Sequence, residues 1–437
     1  MAFNRKKDPI EPAKRRGKVR EYFSYIPLLS WFSGILAAVL LERFIGAELA
    51  EDVLGLRKIP VLLGFTIALK TPALIPAVVA YTVTIYCIPI ALVAKYSAGI
   101  MNGVAGALTK LPLWISVLVH LAVLYEVLHI WADISAYREL TIKLILIAIM
   151  VTLSLNVING YMGEFSCSHP GFMALGAYGS SVLTVLLFSN DRIFGEALIT
   201  TSAWAMVSFP LVLIAGGLLA SFGALLIAIP SFKTRGDYLA IISLAFLFIV
   251  KSIIENLEIV GGPRGLSGQP DWATLPTVFL ICVACVWIIN NFVRSIIGKA
   301  TNAVRDDETA ANAMSVDTKR TKLVAFLFSA FWAGVAGGLF AHVLRYVNPG
   351  TFYIQKLAEV LAMVYFGGLN SVYGSIVGAI SLSVLGEALR PLQMWKWIII
   401  PLLLILVMIF RPKGLVSFKE FNVMHLVQPK RRENREA

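Results

Sequence analysis

Residues 298–322 read GKATNAVRDDETAANAMSVDTKRTK, the longest polar segment between the first and last apolar runs of the chain. The segment holds five basic residues (Lys299, Arg305, Lys319, Arg320, Lys322) and four acidic ones (Asp306, Asp307, Glu308, Asp317), and apolar runs flank it on both sides. Its middle predicts a short amphipathic helix. Asp306, Asp307 and Glu308 stand where a helix N-terminus, the positive end of its dipole, favours negative charge. Ala310, Ala311 and Ala313 follow, strong helix formers whose small side chains let another surface approach closely. Two readings are open on composition: a solvated loop helix, the usual role of a charge run, or a contact surface.

The flanks set the class. The 437 residues are 58% hydrophobic and 15% charged, with a mean hydropathy of +0.78, against about 45–50% and about 25% in soluble domains. Many apolar runs approach or exceed about 18 residues, enough to cross a bilayer as a helix. The expected fold is an all-α polytopic membrane protein of about 10–12 transmembrane helices, some broken or re-entrant. The net charge of +12 is no nucleic-acid footprint, because Lys and Arg gather at membrane edges, where the positive-inside rule puts them. Cys87, Cys167, Cys282 and Cys285 lie in or beside apolar runs. Cys282 and Cys285 form a C-x-x-C pair inside TVFLICVACVWII; redox or metal use needs accessible thiolates, so a buried apolar pair is expected. No disulfide framework is implied.

In chain order, residues 1–21 carry eight basic residues with Pro9 and Pro12, a basic cytoplasmic tail without a recognisable cleavable signal. The first span is expected at 26–44. Residues 59–95 are apolar but hold Pro60, Lys70, Pro72, Pro76 and Pro89, consistent with one crossing plus a surface-lying piece or with two short crossings. The next span is 112–132. His120 and His129 fall on it, where an interior polar contact is expected rather than a metal site. With residues 22–139 as an N-terminal extension of about three or four membrane helices, a second block starts near Leu140, after a Tyr137-Arg138-Glu139 break. Its spans are expected at 142–160, 172–189, 205–230, 237–255, 273–294 and 323–345. The stretch 357–411 is interrupted by Gly367-Gly368-Leu369-Asn370 and by Arg390-Pro391. The tail from Arg411 has seven basic residues, and 416–437 is expected to be a cytoplasmic tail. With 298–322 and both tails inside, simple alternation puts 258–271, with Gly261, Gly262, Gly265 and Gly268, outside.

One stretch between apolar runs is rich in chemistry: Asn159-Gly160-Tyr161-Met162-Gly163-Glu164-Phe165-Ser166-Cys167-Ser168-His169-Pro170-Gly171-Phe172. It reads either as a turn with tight glycine bends or as a broken helix beside a solute path, since irregular backbone at membrane depth needs protein or a water-filled cavity to satisfy it. Gly163-x-x-Ser166 has a faint echo in Gly368-x-x-Ser371, too short to establish a repeat.

Several of these stretches together resemble the permeases of ABC importers for branched-chain amino acids. The 298–322 segment is similar to their ATPase-coupling loop through Gly298-Lys299-Ala300, Ala303-Val304-Arg305-Asp306-Asp307-Glu308, Ala310-Ala311 and Lys322-Leu323-Val324-Ala325-Phe326. Ser315 stands where the family usually has Gly. Gly160, Tyr161, Gly163, Glu164, Ser166, His169, Gly171 and Phe172 match a second pattern, with Ser168 and Pro170 as departures. Arg235-Gly236-Asp237-Tyr238, Gly261-Gly262-Pro263-Arg264-Gly265-Leu266 and Gly367-Gly368-Leu369-Asn370-Ser371-Val372-Tyr373-Gly374 follow in order. The resemblance covers residues 140–415; the N-terminal part is similar to the extension of the longer, LivM-type members by composition.

The resemblance implies an ABC importer permease fold in a bacterial inner membrane and a multi-pass chain with both termini cytoplasmic. It also implies a homologous second permease subunit, two ATPase subunits that bind ATP and Mg, and an extracytoplasmic amino-acid-binding protein. No cofactor and no metal are expected on this chain, which has no G-x-x-x-x-G-K-[ST] phosphate loop, and no enzymatic activity of its own. Arg305, Asp307, Glu308, Ala310 and Ala311 are the expected ATPase-coupling residues. Gly163, Glu164, Ser166, His169 and Gly171, with Gly367, Gly368 and Ser371, are the candidates for the translocation path. Permeases for urea or short amides share the scaffold and are the nearest alternative for the substrate. An ion-driven secondary transporter would need an acidic relay, for which the spans offer few carboxylates, such as Glu359 and Glu387. A membrane scaffold that transports nothing is the third alternative.

Overall fold

The computed structural model describes residues 25–56, 71–189, 195, 202–232, 238–411, 414–416, 424 and 427–429. The basic N-terminal tail, residues 57–70, the Arg235-Gly236-Asp237 match and nearly all of the C-terminal tail lie outside them.

Among the described residues, nine helices are long and apolar enough to cross a membrane. They are α1 (Leu28–Glu48, extended by a π-turn to Val53), α2 (Pro72–Leu108), α3 (Leu113–Asp133), α4 (Ala136–Met162), α5 (His169–Phe188), α6 (Ser202–Ser231), α7 (Tyr238–Asn256), α8 (Leu275–Arg294) and α11 (Thr318–Leu344). Between α8 and α11 lie two short helices, α9 (Ile296–Asp306) and α10 (Glu308–Ala313). Three shorter apolar helices follow, α12 (Ile354–Gly367), α13 (Val372–Ala388) and α14 (Lys396–Phe410). The only regular strand pairing among the described residues is the two-residue ladder β1 (Leu266–Ser267) with β2 (Tyr346–Val347), antiparallel. The all-α polytopic expectation therefore holds.

Contacts divide the chain into two compact units, Met1–Ile59 with Val79–Ile130 and Asn422–Ala437, and Pro60–Val78 with Trp131–Phe421. In the first unit α1 lies along α2. Gly34 meets the backbone of Ile90, and Ile26, Ala94 and Ala98 form a small core. Ser33 and Ser97 share a hydrogen bond of 3.1 Å. Glu42, fully buried on α1, accepts hydrogen bonds from the Tyr81 and Tyr86 hydroxyls. Burying a carboxylate in such a place is tolerable only with partners of this kind.

α2 resolves the ambiguity of 59–95 for the described part: from Pro72 the chain is one continuous helical run despite Pro76 and Pro89. A proline removes one helical N–H and its ring crowds the carbonyl one turn back. The Val83–Cys87 π-turn directly before Pro89 gives the slack that absorbs this. The Tyr137-Arg138-Glu139 break is also not a break. These residues form the first turn of α4, and the chain turns just before them, at Ser135. Their polar groups are met locally: Arg138 is buried with its guanidinium 4.9 Å from the Trp131 ring centroid, and the Tyr137 hydroxyl donates to Glu387 Oε2 at 2.7 Å. On α3, His120 Nδ1 meets the Ser116 carbonyl at 2.7 Å and His129 stacks on Tyr125. Cys282 and Cys285 are both buried and unbridged.

The second unit is organised around α5, α6 and α11, which cross at small residues. An added Cβ on Gly176 (α5) would stand 2.1 Å from the carbonyl oxygen of Gly334 (α11), and one on Gly337 would stand 2.0 Å from that of Met173. Lipid supplies no hydrophobic drive for helices to associate, so close backbone approach and its dispersion contacts take over. Outward side chains such as Leu211, Phe222 and Leu226 on α6 are exposed, as a lipid-facing surface should be.

Candidate functional site

The polar loop is a helix–turn–helix. Ser295 caps α9 through Gly298 N, and Asp307 caps α10 by accepting from Thr309 N (2.9 Å) and Ala310 N (3.0 Å). Asp317 caps α11 through Arg320 N at 3.0 Å. Asp307 and Glu308 thus stand at a helix start as expected, but Asp306 is the last residue of α9 and pairs with its neighbour Arg305 at 2.7 Å. Asp307, in extended conformation, makes the corner between the two helices. The turn after α10 uses a left-handed residue, and Ser315 adopts it (φ +65°) without being glycine.

The expected coupling residues divide by orientation. Ala310 is exposed, and the neighbouring Met314 is 80% exposed. Ala311 is buried against the chain. Arg305 and Glu308 reach inward. The Arg305 Nη1 donates to the Gly160 carbonyl at 3.2 Å, and Glu308 Oε2 accepts from Lys322 Nζ at 2.9 Å. Lys322 also donates to Glu164 Oε1 at 2.7 Å.

Glu164 belongs to the first helix break. α4 loosens into a π-turn over Val157–Met162 and ends at Gly163, whose φ of +76° is left-handed. The Arg305 side chain covers Gly163 so closely that an added Cβ would stand 2.3 Å from Arg305 Cγ. The following residues run without regular structure to α5, and their polar groups are satisfied by protein. Ser166 N donates to Asn159 Oδ1 at 3.3 Å, Ser166 and Ser168 hydroxyls meet at 2.8 Å, and Cys167 N donates to Ser243 Oγ at 2.9 Å. Burial pushes the Cys167 thiol above its ordinary range, the Ser243 contact pulling weakly the other way. His169 opens α5, fully buried. Its Nε2 meets Ser329 Oγ at 3.1 Å, and Ser329 donates to the Ser154 carbonyl. Gly171 admits the Phe246 ring. The stretch thus holds the tight glycine bend of the turn reading, at Gly163, and polar groups met by protein, as the broken-helix reading requires.

A second break joins the first. α12 ends at Gly367, Gly368 takes a positive φ of 124°, and Ser371 caps α13 through Gly374 N at 3.1 Å. Asn156, one turn before the first break, holds this segment from both sides. Its Nδ2 donates to the Ser371 carbonyl (3.1 Å) and Ser375 Oγ (2.7 Å), and its Oδ1 accepts from Asn370 N (3.2 Å). The segment after α14 returns here: Leu415 N and Val416 N donate to the Phe366 and Gly367 carbonyls at 3.1 and 2.8 Å. Both breaks and the polar loop thus form one cluster through Arg305, Glu308, Lys322, Glu164 and Asn156, while Ala310 is exposed and Gly171 lies against Phe246. Three residues of it drew no role from sequence: Lys322, Asn156 and Met314. Their contacts span 158 residues or more for Lys322–Glu164 and Asn156–Ser371, and no local spacing announces such pairs.

Away from the cluster, the glycine turns of 261–268 pack on the chain after α11 through the β1–β2 ladder and a 2.7 Å bond from the Tyr346 hydroxyl to the Arg264 carbonyl. Glu359 pairs with Lys356 at 3.1 Å, and Glu387 with Tyr137 and Arg390.

A family model described as the permease component of branched-chain amino acid transport systems matches residues 137–409. The high-affinity branched-chain amino acid transport system permease protein LivM of Escherichia coli (strain K12) is 31% identical over 352 residues, 72% of this chain and 77% of that protein. LivM of Salmonella typhimurium is 31% identical over 306 residues, 62% of this chain and 68% of its own length. The probable branched-chain amino acid transport permease LivM of Methanocaldococcus jannaschii is 24% identical over 316 residues, 62% of this chain and 90% of its own length. No solved structure matches this chain. The family match runs from the first turn of α4 into α14, so it takes in the polar loop and both breaks, and the chain belongs to the permease components of branched-chain amino acid transport systems.

Proposed function

We propose that this chain is one of two permease subunits of an ATP-driven importer for leucine, isoleucine and valine. ATP is bound and hydrolysed by separate ATPase subunits that dock on the 298–322 loop, and an extracytoplasmic binding protein delivers the amino acid at the opposite face. The observation that carries the reading is α10. It is a short helix capped by Asp307, with Ala310 and the closing Met314 outward, while Glu308 at its start and Arg305 near the end of α9 bond to the chain behind. Such a helix presents a small-residue surface to a partner while gripping the membrane domain behind it. The basic tails at both ends argue for the cytoplasm. Glu359 and Glu387 are each neutralised by neighbours, which argues against an acidic relay for ion-driven transport.

Reconstitution of the chain with its companion subunits in proteoliposomes tests this. Leucine should enter only when ATP and the binding protein are supplied, and collapsing the proton and sodium gradients should change nothing. Uptake that follows a gradient without ATP would overturn the reading. ATP-driven uptake of urea with none of leucine would retain the scaffold and replace the substrate.

A further inference from the structure

Lys322 sits on the second turn of α11 with its side chain only 12% exposed, between Glu164 (26%) and Glu308 (52%). Glu164 follows the left-handed Gly163 that ends the first helix break, and Glu308 is the first residue of α10. One cation therefore ties the loop helix to the break through two carboxylates, at 2.7 and 2.9 Å. A second tether runs parallel to it: Arg305 donates to the Gly160 carbonyl and lies over Gly163. The two tethers hold the end of α4 at Gly160, inside its π-turn, and at Glu164, just beyond it. From there Asn156 carries the connection to Asn370 and Ser371 at the second break.

This arrangement has a mechanical consequence. A π-turn followed by a left-handed glycine is a segment with looser hydrogen bonding than the helix before it. Packed helices move as bodies, so relative motion collects at such segments. A displacement of α10 moves Glu308 and, through the shared cation, pulls on the residue that follows the hinge. Without the cation two carboxylates would face each other across a half-buried gap, and the loop would be freer to move without the break.

We infer that Lys322 is a positioning residue for transport: with Glu164 and Glu308 it forms an ionic latch that transmits movement of α10 to the first helix break. Glu164 is then a transmission residue rather than a lining residue of the solute path. The inference rests on the ATP-driven reading proposed above, because it needs a partner that moves α10.

The test is the number of amino acids imported per ATP hydrolysed by the fully assembled transporter in proteoliposomes. The wild type is measured first; absence of ATP-driven uptake there would sink the functional reading, separately from the latch. With wild-type coupling established, Lys322→Gln should hydrolyse ATP at close to the wild-type rate while import per ATP falls by about tenfold or more, the range of a lost inter-site coupling. Lys322→Arg keeps the charge and should retain most of the coupling. The triple exchange Lys322→Glu, Glu164→Lys, Glu308→Lys restores opposite charges at both contacts and should recover part of it. Glu164→Gln removes only the break-side arm and should uncouple on its own. Unchanged import per ATP in Lys322→Gln and Glu164→Gln would overturn the latch. So would a proportional fall of hydrolysis and import, which would assign the triad to the ATPase docking surface. Failure of both variants to assemble would assign it to folding and likewise overturn the proposal.

Discussion

At the scale of single residues, backbone conformation decides more than side-chain type. Ser315 closes α10 in a left-handed conformation that costs a non-glycine residue about 1 kcal/mol or more. The family's glycine would take it without that cost. Ser315→Gly should therefore stabilise the loop by up to about 1 kcal/mol, visible as slower hydrogen exchange at Met314, Ser315 and Val316. Faster exchange would mean that the serine side chain holds the turn in a way its backbone does not. Gly163 is the opposite case. Gly163→Ala must adopt φ +76° and displace Arg305. Both the thermal midpoint and the fit of α9 against α4 should suffer, by about 1–3 kcal/mol; a variant as stable as wild type would show that the break readily rearranges. The Cys167 thiol, pushed up by burial, should resist maleimide at neutral pH, since only the thiolate reacts. Rapid labelling there would mean that the break opens to solvent.

At the scale of elements, the sequence was most readable where lipid imposes the rule. A bilayer crossing demands a long apolar helix, and observed ends such as 113–133, 238–256 and 275–294 lie within a few residues of those read from hydropathy. Reading failed where a rule was satisfied in an unexpected way. Tyr137-Arg138-Glu139 reads as a break because charges usually end a span, yet Glu387, Trp131 and Lys143 meet the three within the helix. The prolines of 59–95 leave one crossing or two open, and from Pro72 the chain is one helical run, the π-turn before Pro89 absorbing one of them. The helix α9 was hidden because its charged residues read as part of one loop helix. Packing between elements was not legible at all, since a glycine inside an apolar run does not announce its partner. The structure now separates two such glycines. Gly176→Leu, at the crossing of α5 with α11, has no room for a side chain and should lower the yield of folded protein or cost several kcal/mol, beyond the about 1–3 kcal/mol of ordinary overpacking. Gly386→Ala on α13 meets nothing within 4 Å and should be neutral or stabilising by about 0.5–1 kcal/mol. Thermal unfolding of the two purified variants would check this; equal effects would mean that the crossing is looser than its backbone distances.

At the scale of the whole molecule, the function follows from where polar groups are concentrated. The described spans are apolar for most of their length, and the polar loop and the two helix breaks form a single cluster held by Lys322, Arg305 and Asn156. The sequence supplied the members of that cluster as separate motifs, in order along the chain. Their convergence needed the fold, because partners 145 to 215 residues apart carry no local signal. The proposed motor contact rests on the exposed face of α10, and the chain has no G-x-x-x-x-G-K-[ST] phosphate loop of its own. The most direct measurement is uptake of labelled leucine by cells lacking this chain and every other leucine carrier, restored with wild type or with Glu308→Arg. Uptake should be lost on deletion and recovered with wild type, and should not recover with Glu308→Arg although that protein reaches the membrane. Failure of the wild-type chain to restore uptake, or full recovery with Glu308→Arg, would contradict the proposed function.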